Sequence, residues 1–446
     1  MPIRQLLLSR PVRLACAFVA ALGSASASAQ LRLPSVQLPQ LPGRVDSLND
    51  DMLRDANRRL LAPVERLDLR ELRLNQIDAL LRRHGDVLER DPHGEPIVRH
   101  ELLAWSPSAA ALAAAKAAGM EPVPQPDTGA GASPLVVLRV PESVDTAAML
   151  DRLRALDPDG AYDFNHIYTG SGNPAPPQGT PAADQDAPRQ KTASGVRVGL
   201  IDGGVQGDHE VFREAPVVPW GCDGASHPSA HGTAVAALMV GRSPRFAGAA
   251  PGATLYAADI YCDSGSGGSA SRITAALDWL AQQQVAVINL SLVGPPNQIL
   301  ERAVRGMVRR GHLLVAAVGN DGPAASPLYP ASYPGVVGVS GVDKKGQPLP
   351  EAARGPQVMF AAPGNQMVSA AVGAPPYRAV RGTSFAAPIV AALLAKVHHR
   401  PDPAAARQAL ASVAANATGA AAGNVDNGVG LGILGMALRT DPASFR

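Results

Sequence analysis

The stretch that decides the fold is residues 198–205, VGLIDGGV, where an apolar run ends at an aspartate followed by two glycines. The run from Val196 to Ile201 predicts a strand that is buried on both faces. Gly203 and Gly204 predict a sharp turn directly after this strand. We therefore expect Asp202 at the carboxyl edge of a sheet, which is where open α/β sheets bind their ligands.

Apolar strands and helices alternate along the rest of the chain. In helix 269–283 the apolar residues share one face, Asn297 can cap the following helix, and Gly311 can end it in a left-handed turn. Such alternation predicts an α/β fold, a mostly parallel sheet with helices on both faces. The remaining predicted strands are 254–261, 285–292, 313–318, 336–340 and 358–361, and the other predicted helices are 231–240, 297–310 and one from Ser384.

Length and composition limit the protein class. At roughly 150 residues per domain, 446 residues allow about three domains. With 46% apolar and 17% charged residues the chain has enough apolar material for a large core. The net charge of +2 argues against binding that depends on neutralising the phosphates of a nucleic acid.

The amino terminus has the pattern of an export signal. Basic residues precede the apolar run 14–22, and Ala27-Ser28-Ala29 supply a small-x-small cleavage site. We predict a signal peptide over residues 1–29 and an exported protein, secreted or periplasmic. Since no other apolar run approaches the ~20 residues that span a bilayer, we expect no membrane association after the signal is removed.

Four further segments follow the signal. Residues 30–95 are first extended and then helical, with no readable function. Residues 96–168 predict the order βαββαβ, a small α+β domain of the ferredoxin-like kind. Residues 169–193 combine Gly, Pro and polar residues and predict an exposed linker that is easily cut. Residues 194–446 form the α/β domain.

Three side chains of this α/β domain can together carry nucleophilic chemistry. A serine hydroxyl is a weak nucleophile that needs an imidazole to take its proton and a carboxylate to hold that imidazole in one tautomer. Asp202 follows the first strand, His231 opens the helix HGTAVAALMVG, and Ser384 lies in GTSFAAP where another helix begins. These residues can supply the carboxylate, the imidazole and the hydroxyl.

The segments VGLIDGGV, HGTAVAALMVG and GTSFAAP resemble the aspartate, histidine and serine motifs of the subtilisin-like serine peptidases. APGATLYAADI, VINLSL and VAAVGNDG extend the resemblance over about residues 195–435. It implies a three-layer fold and a peptide hydrolase that works through an acyl-enzyme on a protein or peptide substrate. Chemistry of this kind requires no cofactor, and structural calcium, which is common in the family, cannot be assigned to residues here.

The resemblance also implies the remaining site residues. The Asn320 amide, with the Ser384 N–H, forms the oxyanion hole. An extended peptide pairs with a sheet edge along Gly265, Ser266 and Gly267. The primary specificity pocket is built by Ser291, Leu292, Val293 and Gly294 together with Ala316, Ala317, Val318 and Gly319.

Residues 134–168 resemble, less specifically, the second half of the inhibitory prodomain that precedes many secreted members of the family. The prodomain would then be an intramolecular partner of the peptidase domain, and we expect self-cleavage within residues 169–193. A permanent accessory domain is the alternative.

Cys222 and Cys262 are an even pair in an exported chain, so a disulfide between them is the natural expectation. Closing a loop of about 40 residues would stabilise the fold by roughly 3 to 4 kcal/mol. A zinc site that adds His227 and His231 is a second interpretation, although its spacing does not match tight cysteine pairs.

Other functions remain open. The chain departs from the family pattern at Ala234, where many members carry a second histidine, and at Phe385, where many carry methionine. A catalytically silent binding module on the same scaffold is the main alternative function. The glycine-rich run 265–270 fits the dinucleotide fingerprint G-x-G-x-x-[GA], but no ribose-binding acid follows about 20 residues later.

Overall fold

The computed structural model describes residues 69–123, 134–170, 195–419 and 428–445, all within one compact unit that begins at Ala62. The predicted signal peptide and nearly all of the predicted linker lie outside these residues. None of the described helices is long and apolar enough to cross a membrane.

The larger sheet has seven strands, and all of its strand pairs are parallel. Its strands are β7 (Arg197–Asp202), β8 (Val217–Trp220), β11 (Thr254–Asp259), β12 (Val287–Leu290), β14 (Leu313–Ala317), β15 (Val337–Val342) and β16 (Val358–Pro363). Their spatial order is β16-β15-β14-β12-β7-β11-β8. The chain leaves β7 toward one edge and crosses back at β12, so the ligand-binding crevice of such a sheet falls at the carboxyl ends of β7 and β12.

Helices cover both faces of this sheet, as predicted. One face buries α4 (Ala230–Val240), α7 (Thr383–Ala395) and α8 (Pro403–Ala414), and the other buries α5 (Ala270–Gln282) and α6 (Gln298–Arg309). The cap prediction is confirmed, because the Asn297 side chain accepts hydrogen bonds from the backbone N–H groups of Ile299 and Leu300. Gly311 has φ +87°, which confirms the left-handed turn at the end of α6.

A second, antiparallel sheet is built from residues 88–166. It contains β1 (Leu88–Arg90), β2 (Pro96–Trp105), β3 (Glu121–Val123), β4 (Leu135–Arg139) and β5 (Ala161–His166), and α1 (Leu69–Arg83) precedes it. Strand β4 lies between β3 and β2, and β5 pairs with the other side of β2. With α2 (Ala109–Ala117) and α3 (Thr146–Leu156) between the strands, this is a split βαβ arrangement.

The small sheet packs on α5 and α6 of the large domain. Leu103, Leu135 and Val137 belong to the same apolar cluster as the buried faces of these two helices. Polar contacts at the helix starts reinforce the packing. Asp163 Oδ2 accepts the backbone N–H of Gln298 at 2.7 Å, and Asn165 Oδ1 accepts that of Ser271 at 3.0 Å.

Several short strands were not predicted. They are β6 (Thr169–Gly170), β9 (Arg242–Ser243), β10 (Phe246–Ala247), β13 (Leu292–Val293), β17 (Met367–Ala370) and β18 (Tyr377–Val380), in addition to the edge strand β8 and to β1, which lies in a stretch predicted as helical. Most have two to four residues, too few for a hydrophobic period to be visible. Strand β6 pairs with β13 and so carries the chain from the small domain onto the carboxyl edge of the large sheet.

Candidate active site

Asp202 and His231 meet at the carboxyl edge of the large sheet. Asp202 is the last residue of β7 and His231 is the second residue of α4, whose first turn is capped by Ser229. The His231 Nδ1–H donates to Asp202 Oδ1 at 2.9 Å. The same oxygen accepts the Gly203 backbone N–H at 2.7 Å, so the aspartate is held in one orientation.

Gly232 allows the close approach on which this pair depends. A Cβ atom built on Gly232 would lie 2.1 Å from the backbone oxygen of Gly203. Any side chain here would therefore force α4 away from the turn that follows β7.

Electrostatics make His231 a stronger base than a free imidazole. Burial opposes the charged form of this imidazole, but the charge of Asp202 and its hydrogen bond outweigh burial and raise the pKa of His231 above 6.5. The carboxylate thus fixes the tautomer and stabilises the imidazolium, which are the two roles that an orienting carboxylate has beside a catalytic histidine.

Ser384 is fully buried in the first turn of α7, close to the same edge. Its backbone oxygen accepts the Ser291 hydroxyl at 2.8 Å, and Ser291 accepts the Asn289 amide at 2.9 Å. The ring of Phe385, the next residue, lies 5.3 Å from the His231 ring between centroids. These contacts fix the start of α7 against the carboxyl end of β12.

Two reactive atoms of the site have no hydrogen-bond partner among the described residues. They are His231 Nε2 and Ser384 Oγ, and both are buried. The structure therefore has no hydrogen bond between them, which is a geometry that apo sites often have before a substrate tightens them.

Asn320 follows β14 at the same edge. Its Oδ1 accepts the Thr383 backbone N–H at 3.0 Å, which fixes the orientation of the amide beside the first turn of α7. The Gly319 N–H donates to Thr383 Oγ1 at 3.3 Å. The first N–H groups of a helix have no partner within the helix, so the start of α7 presents backbone donors near this amide.

A segment of the chain itself lies along the predicted edge at β13 and along a second edge that follows Gly267. Gly170 lies opposite Leu292 and Thr169 opposite Val293 in an antiparallel pair. On the other side, the Tyr168 N–H donates to the Gly268 oxygen at 2.8 Å, and Ile167 forms a bridge with Ser269. An extended segment thus runs between two strand-like edges, one of them β13.

The structure locates the predicted substrate-binding residues as follows. Ser291 to Gly294 form the β13 edge, and Ala316 to Gly319 lie buried at and after the end of β14. Gly265, Ser266 and Gly267 lie in the turn that precedes the other edge, and the groups that pair there belong to Gly268 and Ser269. Sequence analysis did not identify Gly268 and Ser269, because a glycine-rich run contains no side-chain signal for register.

Tyr168 is a further site residue that sequence analysis missed. It is fully buried, and its hydroxyl donates to the Pro295 oxygen at 2.8 Å. A Cβ atom on Gly294 would lie 2.5 Å from the Tyr168 ring, so the glycine provides the space that the ring fills. The sequence holds no signal for this role, because it depends on the pairing of β6 with β13, which was not predicted.

Cys222 and Cys262 form a disulfide with their Cα atoms 5.3 Å apart. The zinc interpretation is wrong, because the two sulfurs bond each other and His231 bonds Asp202. Among the described residues, the one group of three side chains with metal-ligand spacing is Cys222, Asp259 and Cys262. Two of its ligand atoms are the disulfide sulfurs, so this group does not fit a metal ion.

Comparison with known proteins agrees with this geometry. The model of the subtilase family matches residues 193–432. The chain belongs to the subtilase family. This subtilase is 36% identical to Subtilisin Savinase of Lederbergia lenta over 217 residues, which cover 48% of the chain and 79% of that protein.

Other relatives are matched over a smaller share of their length. Subtilisin E of Bacillus subtilis strain 168 is 34% identical over 235 residues, which cover 50% of this subtilase and 61% of the relative. The M-protease of Shouchella clausii is 36% identical over 217 residues, which cover 48% of this subtilase and 56% of the relative. This subtilase therefore matches little more than half the length of these two relatives.

Among solved structures, fervidolysin from Fervidobacterium pennivorans, a keratinolytic enzyme related to subtilisin, has the same fold. The TM-score is 0.62 at 18% identity, over 79% of this subtilase and 62% of that chain. The seven-stranded parallel sheet with helices on both faces confirms the predicted three-layer fold class.

Proposed function

We propose that this subtilase is an exported serine endopeptidase that acts on proteins or peptides. The observation that carries the proposal is the hydrogen bond from His231 to Asp202, together with the unpartnered His231 Nε2 and Ser384 Oγ at the same edge. An imidazole held in one tautomer and a buried hydroxyl without a partner are the groups from which an activated serine nucleophile is built.

The reaction proceeds in two halves. His231 Nε2 takes the proton of Ser384 Oγ as this oxygen attacks the carbonyl carbon of the scissile bond. The Asn320 amide and the Ser384 N–H donate to the oxyanion that develops. His231 returns the proton to the departing amine, an acyl-enzyme remains on Ser384, and water activated by His231 releases the acid. No step uses a cofactor.

A fluorophosphonate probe tests this function against the alternative of a silent binding module. We expect the probe to label Ser384 in the wild type and to label neither Ser384→Ala nor His231→Ala. A third variant, His399→Ala, changes an exposed histidine far along the chain and should label like the wild type. A folded wild-type protein that resists labelling would instead support the binding module.

We also propose that residues 96–168 are an inhibitory prodomain that the enzyme removes by self-cleavage. The support is the backbone of residues 167–170, which pairs with β13 on one side and with Gly268 and Ser269 on the other. A Cβ atom added at Gly170 would lie 3.9 Å from the His231 ring. The bond to be cut then lies carboxyl-terminal to Gly170, within the predicted linker. Export before cleavage is part of this proposal and rests on the predicted signal peptide.

Amino-terminal sequencing of the exported protein tests the processing. We expect the mature chain of the wild type to begin within a few residues of position 171, and we expect Ser384→Ala to remain uncut in a host that lacks other proteases. Processing of Ser384→Ala at the same bond would mean that a different enzyme makes the cut.

A further inference from the structure

A cavity opens beside the catalytic pair, next to the inserted strand. Its volume is 250 Å³, and its wall includes Gly170, His231 and the three carboxylates of Asp202, Asp259 and Asp263. We call it the Asp259 pocket. Its lining contains neither lysine nor arginine, so nothing in the wall neutralises these carboxylates apart from the histidines.

The Asp259 pocket is accessible to one particular substrate position. Gly170 contributes to its wall, and the atoms nearest to a Cβ built on Gly170 are ring atoms of His231 at 3.9 Å, which is ordinary contact. A side chain at this position therefore meets no obstacle at its first carbon. Since Gly170 is paired in register with Leu292, a substrate in the same register places one side chain at the same point.

Asp259 lies buried in the wall of this pocket. It is the last residue of β11, in register with Asp202 of β7, so two carboxylates end adjacent parallel strands. Asp259 is 8% exposed, and its Oδ1 accepts the backbone N–H groups of Tyr261 at 3.0 Å and Cys262 at 3.1 Å. These donors hold the carboxylate in place.

The other oxygens of the two carboxylates have no partner. Asp259 Oδ2 and Asp202 Oδ2 are buried and make no hydrogen bond to any described residue. Burial also raises the pKa of Asp259, as expected for a carboxylate without a compensating cation. An unsatisfied buried acceptor is unfavourable, and a charged donor that enters the pocket would relieve this.

The charge of the pocket continues to its outer end. The Asp263 side chain is 84% exposed and lies 3.1 Å from His227 Nδ1. A long cationic side chain can therefore pass from an exposed carboxylate to a buried one. A bare metal ion fits less well, because Asp202, Asp259 and Asp263 are not grouped at the spacing of metal ligands.

We infer that the Asp259 pocket selects lysine or arginine in the substrate, at the position that Gly170 holds in the precursor. The inference rests on the proposed peptidase function. Glycine at this position leaves the pocket empty in the precursor, so processing of the chain itself makes no use of the selectivity. Cleavage of other proteins does use it, and Asp259 is the residue that determines the preference.

Internally quenched peptides test the inference. They carry the sequence of residues 167–172, IYTGSG, with Gly170 replaced by lysine, Nε-acetyl-lysine, arginine or glutamate. For the mature enzyme, kcat/KM for the lysine peptide should exceed that for the acetyl-lysine peptide by roughly tenfold or more, since a charge-assisted hydrogen bond to a buried carboxylate is lost on acetylation. The glutamate peptide should be the poorest substrate.

Asp259→Asn is the decisive variant, because asparagine keeps an Oδ1 that can accept the Tyr261 and Cys262 N–H groups. We expect its ratio of kcat/KM, lysine over acetyl-lysine, to fall to within about threefold of unity. Asp208→Asn changes an exposed carboxylate outside the pocket and should keep the wild-type ratio. Should Asp259→Asn not fold, Asp263→Lys at the exposed end should lower the ratio severalfold.

The outcomes separate the inference from the proposed function. Equal cleavage of the lysine and acetyl-lysine peptides by wild type, or an unchanged ratio in Asp259→Asn, would overturn the inference while cleavage itself supports the peptidase. If no peptide is cleaved and the fluorophosphonate probe fails to label Ser384, the proposed function is wrong and the inference falls with it. Labelling without any lysine preference counts against the pocket alone.

Discussion

Buried polar groups at the carboxyl edge of the large sheet differ in their hydrogen bonding from those on the face of the small sheet that packs on α5 and α6. At the large sheet, Asp202 Oδ2, His231 Nε2, Asp259 Oδ2 and Ser384 Oγ are buried without hydrogen-bond partners among the described residues. On the small sheet, Asp163 and Asn165 are also buried, yet both bond to the helix starts of the other domain.

This contrast distinguishes polar groups that are available to a ligand or a reaction from polar groups that hold two surfaces together. Most buried polar groups in proteins are satisfied, so a cluster of unsatisfied ones marks a site that is prepared for a ligand or a reaction. The satisfied groups of the small sheet instead join two surfaces. Substitutions at the two places should therefore change different measurable quantities.

The largest effect is expected at the unpartnered hydroxyl. Ser384→Ala should lower kcat about 10⁶-fold, and adding His231→Ala should cost little more, because the two groups act as a unit; this magnitude is the one known for subtilisin. The free energy of unfolding should change by less than about 1 kcal/mol, since no hydrogen bond of Ser384 Oγ is lost. Steady-state kinetics with a peptide substrate and chemical denaturation measure the two quantities, and a large loss of stability would contradict the contrast.

Asp202→Asn should have the next largest effect, a fall of about 10⁴-fold in kcat, because an asparagine no longer fixes the histidine tautomer. The pH profile sharpens this prediction. Only neutral His231 accepts a proton, so activity is lost as the pH falls through its pKa. Because Asp202 raises that pKa, the acid limb of kcat/KM in wild type should lie above pH 6.5.

In the same variant the acid limb should move to lower pH, because burial of the imidazole then has no opposing carboxylate. Measuring kcat/KM from about pH 4 to pH 9 for both proteins checks the direction. A wild-type acid limb well below pH 6.5 would show that Asp202 does not stabilise the imidazolium.

Asn320→Ala should lower kcat by about 10²- to 10³-fold and leave KM within about twofold, a magnitude also taken from subtilisin. The physical reason is that an oxyanion-hole donor stabilises the charged oxygen of the transition state more than the neutral carbonyl oxygen of the bound substrate. Asn416→Ala, which removes an exposed amide just beyond the carboxyl end of α8, is the matched control and should behave like wild type. An effect on KM alone would assign Asn320 to substrate binding.

The smallest effect is expected where the small sheet contacts the start of α6. Asp163→Ala, made in the inactive Ser384→Ala protein, removes the acceptor that caps α6 and should lower the free energy of unfolding by about 1 kcal/mol. Thermal or chemical denaturation of the full chain measures this. Asp159→Ala changes an exposed aspartate of the same small domain and serves as control. Equal stability of the two variants would mean that the contact joins the domains without stabilising them.

Much of the large domain could be predicted because its signals are local. The helix that contains His231 begins one residue earlier than predicted, at Ala230, and α5 begins at Ala270 with Ser269 as its cap. Buried strands of four to six apolar residues and caps such as Asn297 depend on neighbouring residues. In a parallel sheet the carboxyl ends of the strands lie at one edge, so polar residues that follow the strands are expected to meet there.

What the sequence could not predict depends on contacts between distant residues. The pairing at Gly268 rather than at Gly265 to Gly267 is a question of register, and glycines carry no side chain that records it. Asp259 falls inside the predicted strand 254–261, and only the fold shows that it ends β11 with its Oδ2 enclosed. The insertion of residues 167–170 requires both domains to be in place.

If the small domain is the proposed inhibitor, the inserted strand also makes latency depend on concentration. Before the proposed cleavage, residues 167–170 would compete with substrates at the effective concentration of a covalently attached ligand, which reaches about the millimolar range. Once the chain is cut, the same strand is a separate molecule whose occupancy falls on dilution. A crowded secretory compartment would then keep the cut protein silent, and its release into a large volume would start its activity.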